Sequence, residues 1–259
     1  MKSAIITGTG IYQIPGFELE KKRIDTPYGP ALVNIARKDD TELVYLARHG
    51  LDHSTPPHNI NYRANMKALQ MLGVQRVIAT YAVGSISRNI PPMAMAVLTD
   101  FLDFTNGRPL TFFEGGKTGL AHIDLNEPYC PVLRDKMLAF APEAGLGLHP
   151  AAVYAATNGP RLETPAEIRM YGKLGADVIG MTGVPEVVLA RELNMHFAGV
   201  AYSINWAAGL EKEISFVGDK MGHLTAKLAA LLVRTLLEQD DDYDCNCKNT
   251  VHFMYPPEE

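Results

Sequence analysis

Short apolar, β-branched runs bounded by glycine or proline recur along the chain, at residues 4–6, 43–46, 77–83, 152–156, 178–181 and 197–204. Runs of this length between turn residues predict buried strands. Between them the apolar period changes. Over residues 62–72, Ala64, Ala68, Leu69 and Leu72 share one helical face, and residues 131–141, 165–174, 185–193 and 216–237 behave similarly. Pro131, Pro165 and Pro185 open three of these stretches, in a first turn where a missing N–H is harmless. Strands alternating with helices predict an α/β fold, a single three-layer α/β/α domain around a twisted, mostly parallel central sheet. No linker-like stretch or internal repeat divides it. The domain is expected over residues 1–237, with a weakly structured acidic tail over residues 238–259.

Composition narrows the class without naming it. Of 259 residues, 47% are apolar and 20% charged, which excludes a disordered chain. A chain this long buries enough surface to fold without a disulfide or metal staple. The net charge of −5 is concentrated at one end, since residues 238–259 hold seven acidic residues and one lysine. The body is nearly neutral and carries no basic footprint for nucleic acid. The first residues read as a strand rather than a secretion signal, and no apolar run approaches the ~18 residues of a membrane span. Three cysteines are too few for a disulfide framework and predict a reducing, cytoplasmic setting. Cys245 and Cys247 stand two residues apart, but no further ligands lie at a metal-binding spacing, so no metal is expected.

Three familiar motifs are approached and missed. Thr7-Gly8-Thr9-Gly10 follows a strand, but Gln13 stands where a dinucleotide fingerprint needs a third glycine. Gly116-Lys117-Thr118 resembles the end of a P-loop whose first glycine would have to replace Thr111. His49, His53 and His58 cluster, but Gly50 follows the first and two prolines break any helix. What remains is a set of anion donors at strand ends. The Gly-Thr-Gly turn offers backbone N–H groups and a hydroxyl, and Arg48-His49 adds two more donors. Open α/β sheets place their ligands at such ends.

Longer stretches then carry a family likeness: IITGTG (5–10), LARHG (46–50), NYRANMKAL (61–69), YAVGS (81–85), HIDLNEPYCP (122–131), NGPRLETPAEIRMYGKLGADVIGMTGVPEVVLARE (158–192) and SINWAAG (203–209). On these the chain resembles the trimeric purine nucleoside phosphorylase and methylthioadenosine phosphorylase family, over nearly the whole domain. The resemblance implies phosphorolysis of an N-glycosidic bond, giving a free purine and a ribose 1-phosphate. It implies phosphate binding by Thr9, Arg48, His49, Tyr81, Ala82 and Thr182. Convergent hydroxyl, guanidinium and backbone donors suit a dianion. Tyr81 departs from the methylthioadenosine branch, which has threonine there, and Thr7 stands where that branch has glycine.

Two positions speak to the base. Glu163 falls where 6-oxopurine phosphorylases accept a hydrogen bond from N1–H, and Asn205 matches their asparagine. The adenine-cleaving branch has serine at the first and an Asp-x-Asp pair where this chain has Asn205 and Ala207. An amide can face O6 and a protonating N7 together, whereas an ionised carboxylate cannot donate. Glu163 also has a plain alternative reading as an acid at a helix N-terminus. With Asn205 and Glu163 in the catalytic role, Met181 is expected under the ribose, and Phe216 and Val217 near its 5′ group. His122 matches a position that closes the 5′ region of a neighbouring subunit, and His223 is the alternative partner for a 5′-hydroxyl.

The resemblance therefore implies a homotrimer or dimer of trimers, with phosphate as co-substrate and no other cofactor. The expected substrates are S-methyl-5′-thioinosine or inosine and guanosine. The alternatives are a methylthioadenosine phosphorylase, a hydrolytic nucleosidase and a non-catalytic nucleoside-binding protein.

Overall fold

The computed structural model describes residues 1–238 and 243–258. Asp240, Asp241 and Asp242 of the acidic tail, and Glu259, lie outside the described residues. In chain order the elements are β1 (Lys2–Thr7), β2 (Glu18–Thr26), β3 (Gly29–Lys38), β4 (Thr41–Ala47), α1 (Tyr62–Met71), β5 (Val74–Ser85), β6 (Met95–Asp103), β7 (Leu120–Ile123), α2 (Pro131–Phe140), β8 (Leu148–Ala156), α3 (Pro165–Lys173), β9 (Val178–Gly180), α4 (Glu186–Glu192), β10 (His196–Trp206), α5 (Gly222–Leu237) and β11 (Val251–Tyr255).

Residue parity along β5 explains the layers. Val77, Ala79, Tyr81 and Val83 pack with apolar residues of α1 and α4, among them Met66, Leu69 and Leu189. Ile78 and Ala82 point the other way, into a cluster with Leu133 and Met137 of α2 and Leu228 and Leu232 of α5. Alternate side chains of a strand face opposite sides, so both faces are covered and three layers result. The expected α/β/α arrangement is what forms.

The nine strands run in the order β10-β6-β8-β9-β5-β1-β4-β3-β2, with β10 also paired to β5. That extra pairing closes β5, β9, β8, β6 and β10 into a ring. Parallel pairs dominate the middle, β1 with β4 and β5, and β5 with β10. β2, β3 and β4 form an antiparallel meander at the open edge. The hydrophobic pattern does not reveal β2, because Glu18, Glu20, Lys21, Lys22 and Arg23 occupy an edge strand that is largely exposed. Charge on an edge strand guards against pairing with another chain.

Two expectations change at the C-terminus. The last helix begins at Gly222 rather than 216, leaving Phe216 and Val217 in the preceding loop. The described part of the tail is not weakly structured. β11 pairs with β7, His252 opposite His122, and Cys247 and Thr250 are each 1% exposed. The surrounding acidic residues hide a β-prone Val-His-Phe-Met-Tyr run. Among the described residues no helix is long and apolar enough to cross a membrane.

Candidate active site

Parallel register aligns strand ends. Thr7 at the end of β1 pairs with Ala47 of β4, and β5 runs beside both β1 and β10. Beyond these ends opens a cavity of about 590 Å³. Thr9, Arg48, His49, Ala82, Met181 and Thr182 are on its wall, and so are Glu163, Asn205, Ala207 and Phe216. Most of the residues singled out from sequence thus converge, although they span the chain. Tyr81, His122, Val217 and His223 are not on the wall.

One end of the cavity is built around a buried charge. Thr7 donates to the Ile11 carbonyl at 2.8 Å, and Tyr45 donates to the same oxygen at 2.8 Å, fixing the turn after β1. Arg48, 3% exposed, is held by Glu186 in a two-pronged pair, Nε to Oε1 at 3.0 Å and Nη2 to Oε2 at 2.9 Å. Its Nη1 donates to the Thr80 carbonyl at 2.7 Å. Burial works against the guanidinium charge, but Glu186 more than offsets it and raises the pKa above the ordinary value. The remaining Arg48 N–H groups have no acceptor among the described residues, and the side chain forms part of the cavity wall.

Tyr81 is therefore corrected from an anion contact to a support. It is 1% exposed and donates to Glu186 Oε2 at 2.8 Å, with the Arg48 guanidinium 4.7 Å from its ring centre. Burial, followed by the Glu186 charge, pushes its pKa well up, so it stays a donor. Tyr81 packs with Val77 and Ala79 away from the cavity, and its neighbour Ala82 is on the wall.

Gly8 lets Arg48 occupy this place. A Cβ there would lie 2.8 Å from Arg48 Nη1. Gly8→Ala is expected to displace the guanidinium and weaken phosphate binding. Losing a charge-assisted hydrogen bond costs ~1.5–3 kcal/mol, roughly 10- to 150-fold in affinity, which titration calorimetry with phosphate measures.

His49 is neutral in this setting. Burial lowers its pKa from 6.5 to about 4, and Arg48 beside it acts in the same direction. Nδ1 lies 2.7 Å from the Thr55 carbonyl. A carbonyl only accepts, so Nδ1 carries the proton and Nε2 is an acceptor, suited to the hydroxyl of a monoprotonated phosphate. The unfolded histidine binds a proton near pH 6.5 and the folded one only near 4. Its stabilising contribution is full above pH 6.5 and is lost as the pH falls toward 4. Melting curves of the wild type and His49→Asn should converge across that window, with the wild type falling more steeply.

Thr182 completes this end. Its backbone N–H and that of Gly183 donate to the Tyr154 hydroxyl at 3.1 and 3.2 Å. The loop after β9 is so tied down, and the Thr182 hydroxyl has no hydrogen-bond partner among the described residues.

The other end carries the paired amide and carboxylate. Glu163 Oε1 accepts from the Thr157 hydroxyl at 2.7 Å. Glu163 does not cap the helix that follows it. Thr164 caps α3, accepting from Glu167 N–H, and Glu167 completes the capping box. Glu163 precedes the cap and its second oxygen is available to a ligand. In β10 the register slips between Ser203 and Asn205, which re-aims Asn205 into the cavity. The amide gives one proton to the Trp206 carbonyl at 2.8 Å, leaving a second N–H and Oδ1. Gly84 permits the approach, since a Cβ there would lie 3.3 Å from Asn205 Nδ2.

The sequence matches the phosphorylase superfamily over residues 2–238, from β1 through α5. The chain belongs to this superfamily. It is 48% identical to a probable 6-oxopurine nucleoside phosphorylase of Moorella thermoacetica, covering 95% of this chain and 96% of that one. A 6-oxopurine nucleoside phosphorylase of Pyrococcus furiosus is 42% identical, covering 96% and 97%. A probable S-methyl-5′-thioinosine phosphorylase of Methanopyrus kandleri is also 42% identical, covering 95% and 96%. Among solved structures, a methylthioadenosine phosphorylase of Schistosoma mansoni in complex with adenine superposes with a TM-score of 0.85 at 28% identity, covering 93% of each chain.

Within this superfamily member, sequence reasoning missed Glu186, Thr157 and Tyr154. Glu186 had a visible signal. It is a lone carboxylate in the apolar run Val-Pro-Glu-Val-Val-Leu-Ala, where an acid needs a buried partner. Thr157 and Tyr154 act through hydrogen bonds to Glu163 and to the backbone around Thr182, which leave no local pattern.

Proposed function

We propose that the protein is a pentosyltransferase that phosphorolyses 6-oxopurine nucleosides, S-methyl-5′-thioinosine or inosine and guanosine, to a free purine and a pentose 1-phosphate. The observation that carries this is the placement of Glu163 and Asn205 on the wall of the same cavity as Arg48, His49 and Thr182. Relatives named for 6-oxopurine nucleosides and for methylthioinosine support it.

The reaction follows from the two ends. Phosphate is held by Arg48, the hydroxyls of Thr9 and Thr182 and the backbone at Ala82, with His49 accepting from its hydroxyl. Met181 floors the ribose. As C1′–N9 lengthens, the sugar becomes cationic and negative charge builds on the purine. Asn205 faces N7 and O6, donating where that charge develops, and Glu163 accepts from N1–H. Phosphate oxygen then bonds C1′ from the opposite face as C1′–N9 breaks, and the proton given up by the monoprotonated phosphate ends on a purine nitrogen. Adenine presents an N1 lone pair to Glu163, a mismatch that a hydrogen-bonding pocket rejects strongly.

The methylthioadenosine reading is favoured only by the solved neighbours. Comparing kcat/KM for methylthioinosine, inosine, guanosine and methylthioadenosine separates the two. The 6-oxopurine substrates should lead by roughly 10²-fold or more, and preference for methylthioadenosine overturns the base assignment.

Phe216, Leu162 and Ile214 are 57%, 43% and 39% exposed at the cavity wall. Such an apolar wall suits a methylthio group. We assign His122, exposed and off the wall of its own cavity, to a neighbour's 5′ region in a homotrimer. Three unpaired cysteines suit a reducing, cytoplasmic setting.

A further inference from the structure

No ligands lie at metal spacing around Cys245 and Cys247 in the sequence, and the expectation of no metal rests on that. The fold removes the premise by bringing two more ligands from elsewhere. Cys130 precedes α2 and His196 opens β10, and the Cys130 N–H donates to the Phe197 carbonyl at 2.7 Å, locking the two segments together. The segment after α5 lays Cys245 and Cys247 over them. The ligand atoms of all four residues lie within 4.8 Å of one another.

The separations have the size of a coordination tetrahedron. Cys130 Sγ is 3.8 Å from His196 Nδ1 and 3.9 Å from Cys245 Sγ, and Cys245 Sγ is 3.3 Å from His196 Nδ1. Zinc bonds of ~2.3 Å to sulfur and ~2.0 Å to nitrogen give edges of about 3.8 Å between sulfurs and about 3.6 Å between sulfur and nitrogen.

Burial and charge agree with this. Cys130, His196 and Cys247 are 0%, 1% and 1% exposed, and Cys245 is partly exposed, leaving one side for entry. Among the described residues the imidazole has only sulfur atoms as hydrogen-bond partners at Nδ1, and Nε2 has none. Without a metal this is a poorly satisfied buried polar group. Arg191 is 1% exposed, has no carboxylate partner among the described residues, and its charge acts on Cys247. Three thiolates around a divalent ion leave one negative charge, which a buried guanidinium balances.

We propose that Cys130, His196, Cys245 and Cys247 hold one Zn²⁺ as a structural site. Four protein ligands leave no open position for chemistry, and none of the four lines the cavity. The site staples the segment after α5 to the domain just before β11, which pairs with the strand that carries His122.

The test is metal analysis of the full-length protein purified under reducing conditions without chelator. About one zinc per chain is expected, released when the thiols are blocked by a mercurial. Exchange with Co²⁺ should give the intense visible bands and thiolate charge transfer of a tetrahedral site. Cys247→Ser and His196→Ala should reduce bound zinc to a small fraction, and chelator should lower the melting temperature of the wild type but not of Cys247→Ser. The proposal is overturned if the reduced wild type binds neither ion. It is equally overturned if the cysteines are found joined in a disulfide that survives these conditions, seen as missing thiols and a mass lower by two hydrogens. Both readouts use the wild type, so failure of a variant to fold does not decide the matter.

Discussion

Asn205→Ala is expected to lower kcat for inosine or methylthioinosine by ~10²–10³, with a much smaller change in KM. Its amide keeps one N–H and its carbonyl free at the cavity after satisfying the Trp206 carbonyl. In the proposed reaction those groups meet a purine that is nearly neutral in the ground state and anionic as the bond breaks. An interaction that strengthens only in the transition state appears in kcat. Asn205→Asp sharpens the test. It preserves shape but replaces the N–H donor with an acceptor, so activity on 6-oxopurines should fall comparably. A loss under about fivefold in the alanine variant would remove Asn205 from the catalytic role.

Glu186→Ala is expected to be the most damaging change to the scaffold. The carboxylate takes two bonds from Arg48 and one from Tyr81, all buried. Removing one partner of such a pair typically costs ~3–5 kcal/mol, because the other charge is left without compensation. Phosphate bound at the same guanidinium should restore part of this loss. Urea unfolding with and without phosphate therefore has a specific expected outcome. The wild type gains modestly from phosphate, and the variant gains more. Equal gains would mean that Arg48 does not face the anion.

Much of the fold was legible because it is local. The runs at 4–6, 43–46 and 77–83 became β1, β4 and most of β5, and prolines at 131 and 165 mark helix starts. In the structure Tyr81 packs with Val77, Ala79 and Val83 in the core. The resemblance implied an anion contact, and the buried hydrogen bond from Tyr81 to Glu186 takes its place. What stayed hidden was long-range. Arg48 and Glu186 are 138 residues apart, and Cys130 and Cys245 are 115 apart. Pairs at such separations leave no periodicity and no spacing to recognise. β2 was hidden for a different reason, since its charges belong to an edge rather than to a loop. Thr9, Arg48 and His49 were legible as anion donors at strand ends, whereas the roles expected of Glu163 and Asn205 came only through the family likeness.

In the proposed reaction phosphate is the nucleophile that accepts the pentose from a 6-oxopurine base. The most direct measurement is hypoxanthine release from inosine or methylthioinosine in phosphate-free buffer and with phosphate added. The expected result is turnover that needs phosphate and yields one pentose 1-phosphate per base. Equal turnover without phosphate, yielding the free pentose, would contradict it and make the protein a hydrolase. Tight nucleoside binding with no base released under either condition would contradict it as well.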